Sequence, residues 1–186
     1  KITILGYQGW NDVSFHGSNQ IPTPNIDALA YSGVILHNYY VNPICTPSRS
    51  ALMTGRHPIH TGTLSVVTAE SDGKEPGLQD NVLVGAAPYA LSPDLSIMPQ
   101  YLTRLGYEAR AVGKWHLGFH KTPYTPTFRG FSSFYGYYEG SEDYFAHVTS
   151  GGFDFHDKPR QFCGPGCTTR PWHLKGQYST NLFSAR

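Results

Sequence analysis

The chain has 186 residues, of which 39% are hydrophobic and 15% charged, and this suits one globular domain with its own core. Fourteen basic and 13 acidic residues give a formal net charge of +1 at pH 7. This balance excludes the broad positive field that draws a protein to nucleic acid or an anionic membrane. No apolar run of about 18 residues predicts a membrane span, and no signal peptide is recognised. A bound anion would need a local site.

The first part of the sequence predicts a strand, a helix and a second strand. The apolar run at residues 2–5 is typical of a short buried strand. A helix follows, with Thr23 as its N-cap, Pro24 at its first position and Gly33 as its end. Residues 34–41 alternate in hydrophobicity as a second strand would.

A second helix is predicted between Pro47 and Gly55, because proline suits the first turn of a helix and glycine suits its end. Cys45 then lies just before the first turn. Residues 64–91 are rich in Gly, Pro, Asp and Ser and show no period, which indicates a long loop.

Two more helices and another strand are predicted further along. Residues 96–107 are expected to place four apolar side chains on one helical face, namely Ile97, Tyr101, Leu102 and Leu105. Residues 108–118 predict a short strand that ends in a polar loop, and residues 177–186 predict a helix capped by Ser179 or Thr180. The alternation of strands and helices predicts an α/β fold.

The three cysteines cannot all pair with one another. Cys163 and Cys167 flank a Gly-Pro-Gly turn, so they suit a small disulfide loop in an oxidising compartment, and a metal-binding pair is the alternative. Cys45 is then left over. At the start of a helix it is either a small buried apolar side chain or a group that faces an anion, with a lowered thiol pKa and Arg49 one turn away.

Two motifs favour the functional interpretation of Cys45. Residues 45–55 read CTPSRSALMTG, which resembles the sulfatase signature C-x-P-S-R-x-x-L-x-T-G. Residues 106–118 resemble a second sulfatase motif and keep Gly-Lys-Trp-His-Leu-Gly intact, although Ala109 stands where the family usually has Thr. A phosphatase or phosphodiesterase of the same superfamily is disfavoured, because those enzymes have Ser or Thr at the position of Cys45.

The resemblance continues through residues 8–18, 23–41 and 129–145, which look like the arylsulfatase B branch of the sulfatases. It implies the alkaline-phosphatase-like α/β fold, with a mostly parallel or mixed sheet flanked by helices. One end of the sequence lies inside an apolar run and the other at the start of a helix, so both ends look cut. We therefore expect residues 1–186 to be the N-terminal portion of a catalytic domain.

The resemblance also implies a reaction, the hydrolysis of sulfate esters, with sulfated glycans as substrates. In sulfatases the signature cysteine is oxidised to formylglycine in the endoplasmic reticulum by a formylglycine-generating enzyme. A hydrated aldehyde carries two hydroxyls, one to attack sulfur and one to collapse and expel sulfate. Cys45 would thus be the precursor of the nucleophile, in a protein of the secretory pathway, lysosomal or secreted.

Three further site residues follow from the same resemblance. Arg49 would hold the diol, and Lys114 would bind the sulfate oxygens. His116 would act as a base on the second hydroxyl, a role that suits imidazole near neutral pH.

Sulfatases of this branch also use calcium, and the sequence departs from the family at that site. Two consecutive aspartates normally ligate the ion together with the modified residue at position 45, but this chain has Gly6 and Tyr7 in their place. Ca²⁺ prefers six to eight oxygen ligands, several of them anionic. Asp12 belongs to the family's own Gly-Trp-Asn-Asp run and is a poor substitute. A later Asp-Asn metal pair, a histidine acid and a second sulfate-binding lysine would lie beyond Arg186.

Three interpretations therefore stay open. The chain is part of an active sulfatase, or a catalytically inactive relative that binds sulfated glycans, or a shortened product with a structural role. The presence or absence of formylglycine at position 45 discriminates the first from the other two.

Overall fold

The computed structural model describes residues 9–42, 44–62, 78–79, 82–83, 88–149, 152–158 and 169–186. These residues belong to two compact units, Lys1–Val41 and Asn42–Arg186. The predicted strand at residues 2–5, the pair Gly6 and Tyr7, the pair Cys163 and Cys167, and most of the predicted loop at 64–91 lie outside the described residues.

The first unit contains the helix α1, Pro24–Ser32, with Thr23 at its N-cap and Gly33 at its C-cap, as predicted. The Thr23 hydroxyl does not cap a backbone amide but donates to the carboxylate of Asp27 at 3.0 Å. Asp27 also accepts from the Ser14 hydroxyl at 2.6 Å. These bonds lower the pKa of Asp27, the one from Ser14 most strongly, and they fix the start of α1.

The predicted strand at residues 34–41 is wrong, because the chain there is irregular and turns at residues 37–38. Val34 and Tyr40 are 86% and 87% exposed. Alternating hydrophobicity produces a strand only where a neighbouring strand satisfies the backbone, and the described residues pair no strand with this segment.

The described part of the second unit contains three α-helices, α2 (Cys45–Thr54), α3 (Met98–Arg104) and α4 (Ser179–Ser184). Its strands are β1 (Leu78–Gln79), β2 (Val82–Leu83), β3 (Arg110–Lys114), β4 (Ser133–Tyr137), β5 (Val148–Thr149), β6 (Gly152–Phe153) and β7 (His156–Lys158). None of the described helices combines the length and apolar character needed to cross a bilayer.

The predicted helices of this unit are present, with shifted bounds. Cys45 is the first residue of α2 rather than the residue before it, and Tyr178 caps α4 instead of Ser179 or Thr180. The structure also corrects the predicted apolar face of α3. Ile97 is fully buried at the N-cap, but Tyr101 and Leu105 are 51% and 74% exposed.

A mixed three-stranded sheet organises the second unit. β3 runs parallel to β4, and β4 runs antiparallel to β7. The pairs β1–β2 and β5–β6 are antiparallel two-stranded ribbons. A mixed sheet accompanied by helices is the predicted α/β architecture.

β4 separates two cores because its successive side chains point to opposite faces. Phe134 packs on one side with Met53, Leu91, Ile97, Trp115, Leu117 and Tyr138. Tyr135 packs on the other side with Phe153 and Phe155. The close approach of β3 and β4 requires glycine at position 136, where a Cβ would lie 2.0 Å from the Gly113 carbonyl oxygen.

Candidate active site

The start of α2 is joined to the end of β3. The Arg49 side chain donates from Nε to the Trp115 carbonyl at 2.7 Å and from Nη2 to the Lys114 carbonyl. The Thr46 hydroxyl donates to the His116 carbonyl at 3.4 Å. Lys114, Trp115 and His116 belong to the second motif. Their carbonyls are thus bound directly to side chains of the helix that carries the first motif.

Cys45 is partly buried at the first position of α2. Burial raises the pKa of its thiol, and this outweighs the lowering by a backbone hydrogen bond and by the nearby Arg49 charge. The lowered thiol pKa expected from the helix terminus is therefore wrong for this site. A thiol with a raised pKa is a poor nucleophile at neutral pH.

Lys114 ends β3, and its ammonium group donates to the Gly140 carbonyl at 2.6 Å. Burial lowers the pKa of Lys114 to about 8, because the neutral amine is easier to desolvate than the ammonium ion. Lys114 is therefore charged at neutral pH. Its pKa of about 8 means that it loses its proton just above neutral pH.

His116 lies two residues beyond β3, is 3% exposed and has a φ of 54°. Left-handed backbone at a histidine costs free energy, and such residues persist where the surroundings hold them in place. The His116 amide donates to the Tyr138 carbonyl at 3.0 Å. The backbone pairing of β3 with β4 therefore continues past the formal end of both strands.

Tyr137, at the end of β4, approaches this site and was not assigned a role from the sequence. Tyr137 lies opposite Lys114 in the β3–β4 register. Burial raises the pKa of Tyr137 to about 12, with a further increase from Glu142 and a decrease from Arg49. Residues 129–145 are rich in Gly and aromatic side chains, but this composition did not indicate which of them face the site.

A buried pair of ionisable groups lies next along the chain. His147 Nδ1 is 2.8 Å from Glu142 Oε1, and both side chains are nearly inaccessible, at 0% and 2% exposure. Burial, followed by the charges of Asp154 and Asp143, raises the pKa of Glu142 to about 8. His147 also has a positive φ, 55°. This pair supports the loop that follows β4.

The described residues do not form a calcium site on their own. They contain no cluster of three or more His, Cys, Asp or Glu side chains placed to hold a metal ion. In the first unit the Asp12 carboxylate accepts from the Gly9 amide at 2.5 Å. The expected ligand positions 6 and 7 lie outside the described residues.

Of the four site residues predicted from the sequence, Arg49 contacts the backbone of Lys114, and Cys45 lies within electrostatic reach of Arg49. Lys114 and His116 meet at Gly140. Residue 45, two cations and an imidazole thus lie on adjoining elements, and a set of cations and an imidazole is chemically suited to a tetrahedral oxyanion.

A model of the Sulfatase family matches residues 5–183, so this chain belongs to the sulfatase family. The membership confirms the resemblance carried by the two motifs.

Curated relatives agree with this assignment. The chain is 39% identical to arylsulfatase J of Mus musculus over 185 residues, which are 96% of this chain and 27% of that protein. It is 34% identical to N-acetylgalactosamine-6-sulfatase of Homo sapiens, over 73% of this chain and 24% of that protein. With steryl-sulfatase of Homo sapiens the identity is 37%, over 69% and 21%. The chain thus spans about a quarter of the length of these relatives.

Solved structures agree on the fold. The crystal structure of Ps i-CgsB aligns with a TM-score of 0.68 at 30% identity, over 95% of this chain and 37% of that one. The complex of Ps i-CgsB with k-i-k-neocarrahexaose aligns with a TM-score of 0.61 at 34% identity, over 77% and 28%. The sulfatase fold predicted from the motifs is confirmed.

Proposed function

We propose that this chain carries the nucleophile end of a sulfuric ester hydrolase, with residue 45 converted to formylglycine. The junction of α2 with β3 is the observation that supports the proposal most strongly. Arg49 reaches from the first turns of α2 to the Lys114 and Trp115 carbonyls. These bonds join the two family motifs and support the proposal that both belong to a single site.

The raised pKa of the Cys45 thiol supports conversion over direct thiolate chemistry. Formylglycine would supply a hydrated aldehyde, whose two hydroxyls serve attack and release. Arg49, a forked cation, would orient that group, although its Nε and Nη2 donors already bind carbonyls. Its remaining donor positions are the ones available for this task.

Lys114 and His116 are proposed to handle charge and protons. The Lys114 ammonium would bind sulfate oxygens, exchanging its bond to the Gly140 carbonyl for one to the anion. His116 would take the proton of the second hydroxyl. Its burial excludes bulk water from the ring, which strengthens electrostatic interactions at this position.

Sulfated glycans are the proposed substrate class. The structural neighbour Ps i-CgsB was solved with k-i-k-neocarrahexaose, and the curated relatives include an N-acetylgalactosamine-6-sulfatase. The proposal also implies a formylglycine-generating enzyme as a maturation partner, and with it the secretory pathway, as a lysosomal or secreted protein.

Calcium is part of the family's chemistry, but the residues of this chain do not fit the expected ligand set. The described residues hold no suitable ligand cluster, and Gly6 and Tyr7 replace the expected carboxylates. These two residues favour a second candidate function, a sulfatase relative that binds sulfated glycans without turnover.

The experiment that separates the two candidates begins with mass spectrometry of the protein secreted from a eukaryotic host. Conversion makes the peptide containing residue 45 about 18 Da lighter than the cysteine form, since a thiol is replaced by an aldehyde. Turnover of a synthetic aryl sulfate is then measured with added calcium, and Cys45→Ala should abolish it.

Met53→Leu is the matched control, because it changes α2 at a buried position while conserving side-chain volume. Its activity should stay within a few-fold of the parent protein. An unmodified Cys45 peptide together with no turnover would refute the hydrolase and favour the binding protein.

A further inference from the structure

We propose that the segment Tyr138–Gly140, clamped by Asp154, is the element that positions both Lys114 and His116. The catalytic role of this segment rests on the proposed function. Its contacts with Lys114 and His116 can be tested without measuring turnover. Gly140 and Asp154 are positioning residues in this proposal, since neither is assigned a contact with the substrate.

Gly140 leaves room for the His116 ring. A Cβ at position 140 would lie 2.5 Å from Cε1, 2.8 Å from Nε2 and 3.2 Å from Nδ1 of His116, and these are the three nearest atoms. The φ of Gly140 is outside the left-handed region. A side chain at this position would therefore displace the imidazole without straining the backbone.

The same residue also holds Lys114. Its carbonyl accepts the Lys114 ammonium at 2.6 Å. The α-carbon of Gly140 therefore faces the His116 imidazole, and the carbonyl oxygen of Gly140 binds the Lys114 ammonium. A shift of Gly140 changes the distance between the two groups that are proposed to bind sulfate and to move a proton.

Asp154 fixes the two residues that precede Gly140. It is 6% exposed, and its carboxylate accepts from the Glu139 amide at 2.8 Å and from the Tyr138 amide at 3.1 and 3.2 Å. His156 Nε2 lies 2.8 Å from Asp154 Oδ1 and orients the carboxylate in turn. Backbone amides held by a buried carboxylate form strong hydrogen bonds.

The Tyr138 carbonyl completes the arrangement by accepting the His116 amide at 3.0 Å. His116 is thus held at its backbone by Tyr138 and at its ring by Gly140. Asp154 binds the Tyr138 amide directly and acts on Gly140 through the amide of the adjoining residue Glu139. The left-handed φ of His116 is maintained by this external support.

The structural test is a double-mutant cycle read by thermal unfolding and by NMR of the histidine ring protons, in the full chain. Gly140→Ala should lower Tm in the parent protein and shift the His116 ring signals. In a His116→Ala background the same change should leave Tm nearly unaltered, because the atoms it would strike are gone. Ser141→Ala, at the exposed neighbouring residue, is the control and should do neither.

The functional test uses the same variants in a preparation that hydrolyses an aryl sulfate. Relief of the Gly140→Ala contact requires the imidazole to move by about 1 Å to reach van der Waals distance, and a misplacement of that size lowers kcat/KM by about 100-fold. Asp154→Asn should lower kcat/KM in the same direction and shift the His116 ring signals. Asp157→Asn, whose carboxylate instead meets Arg186, should leave both unchanged.

The inference is overturned if Gly140→Ala lowers Tm equally in both backgrounds, or if the His116 signals do not move in Gly140→Ala and Asp154→Asn. If the parent protein shows no turnover while the cycle behaves as expected, the proposed function fails and the positioning role of Gly140 and Asp154 stands.

Discussion

Lys114 shows how a single side chain can make stability depend on pH. Its folded pKa is about 8, below the ordinary lysine value of 10.5, because burial disfavours the ammonium ion. Between these values the unfolded chain binds more protons than the folded one, so stability rises as pH increases from about 8 to 10.5. Below pH 8 both states are protonated, and the cost of burying the charge is fully present.

We expect Lys114→Met to remove this part of the pH dependence. The free energy of unfolding, measured by denaturant titration at pH 7 and pH 10, should rise less in the variant than in the parent protein. The difference should be about 1 kcal/mol, after discounting the shift for the partial exposure of Lys114. Lys121→Met is the control on an exposed lysine, and equal pH dependence in all three proteins would contradict the assignment.

The candidate site residues of the two motifs could be proposed from the sequence because each motif is a fixed string that contains them. Gly140 and Asp154 were not predicted as site residues, since their roles depend on contacts with residues 24 positions away or on backbone amides. The ring contact of Gly140 with His116 exists only after β3 and β4 pair. Sequence spacing cannot express such a contact.

At the level of elements, Arg49 holds α2 against the end of β3. Replacing it by methionine leaves the Lys114 and Trp115 carbonyls without their donor. We expect Arg49→Met to lower the free energy of unfolding by about 2 kcal/mol, the usual cost of partly buried acceptors left unsatisfied. Chemical denaturation at pH 7 measures this loss.

Arg56→Met is the matched control, because Arg56 follows the same helix and is exposed. It should change the free energy of unfolding by less than about 0.5 kcal/mol. Similar values for the two variants would show that α2 does not depend on the guanidinium bonds.

The bounds of the elements were predicted unequally well. Proline and glycine marked the limits of α1 correctly, because their effects on the helix backbone are local. The face of α3 was mispredicted because the helix is only seven residues long, and Ile97, its supposed first apolar contact, lies at the cap. The Gln100 side chain accepts from the Ile97 amide at 2.8 Å and starts the helix there.

At the scale of the second unit, the described residues form two apolar cores, one on either side of β4. Phe134 is 1% exposed and lies in the larger core. We expect Phe134→Ala to reduce the free energy of unfolding by about 3 to 5 kcal/mol, through lost burial and the cavity left behind. Phe145→Ala, at a side chain 54% exposed, should cost less than about 1.5 kcal/mol.

Thermal unfolding followed by circular dichroism measures both variants. A loss in Phe134→Ala no larger than that in Phe145→Ala would contradict the two-core description.

The overall architecture was predictable to the level of fold family, because the motifs identify the sulfatases and their fold follows. The arrangement of β4 between a parallel and an antiparallel neighbour was not. The segment around Phe134 and Tyr135 is dense in glycine and aromatic residues, and its alternation is hidden because both of its faces are buried. A strand with two apolar faces has no polar side to reveal its period.

The position of β4 between two cores also restricts how the length of this segment can change. Inserting one residue between Tyr135 and Gly136 would exchange the faces of everything that follows in the strand. Gly136 would leave its place opposite Gly113, and the carbonyl that receives Lys114 would be displaced by one residue. Length variation among descendants of this chain should therefore fall elsewhere, and the distance from Gly136 to Gly140 should be preserved.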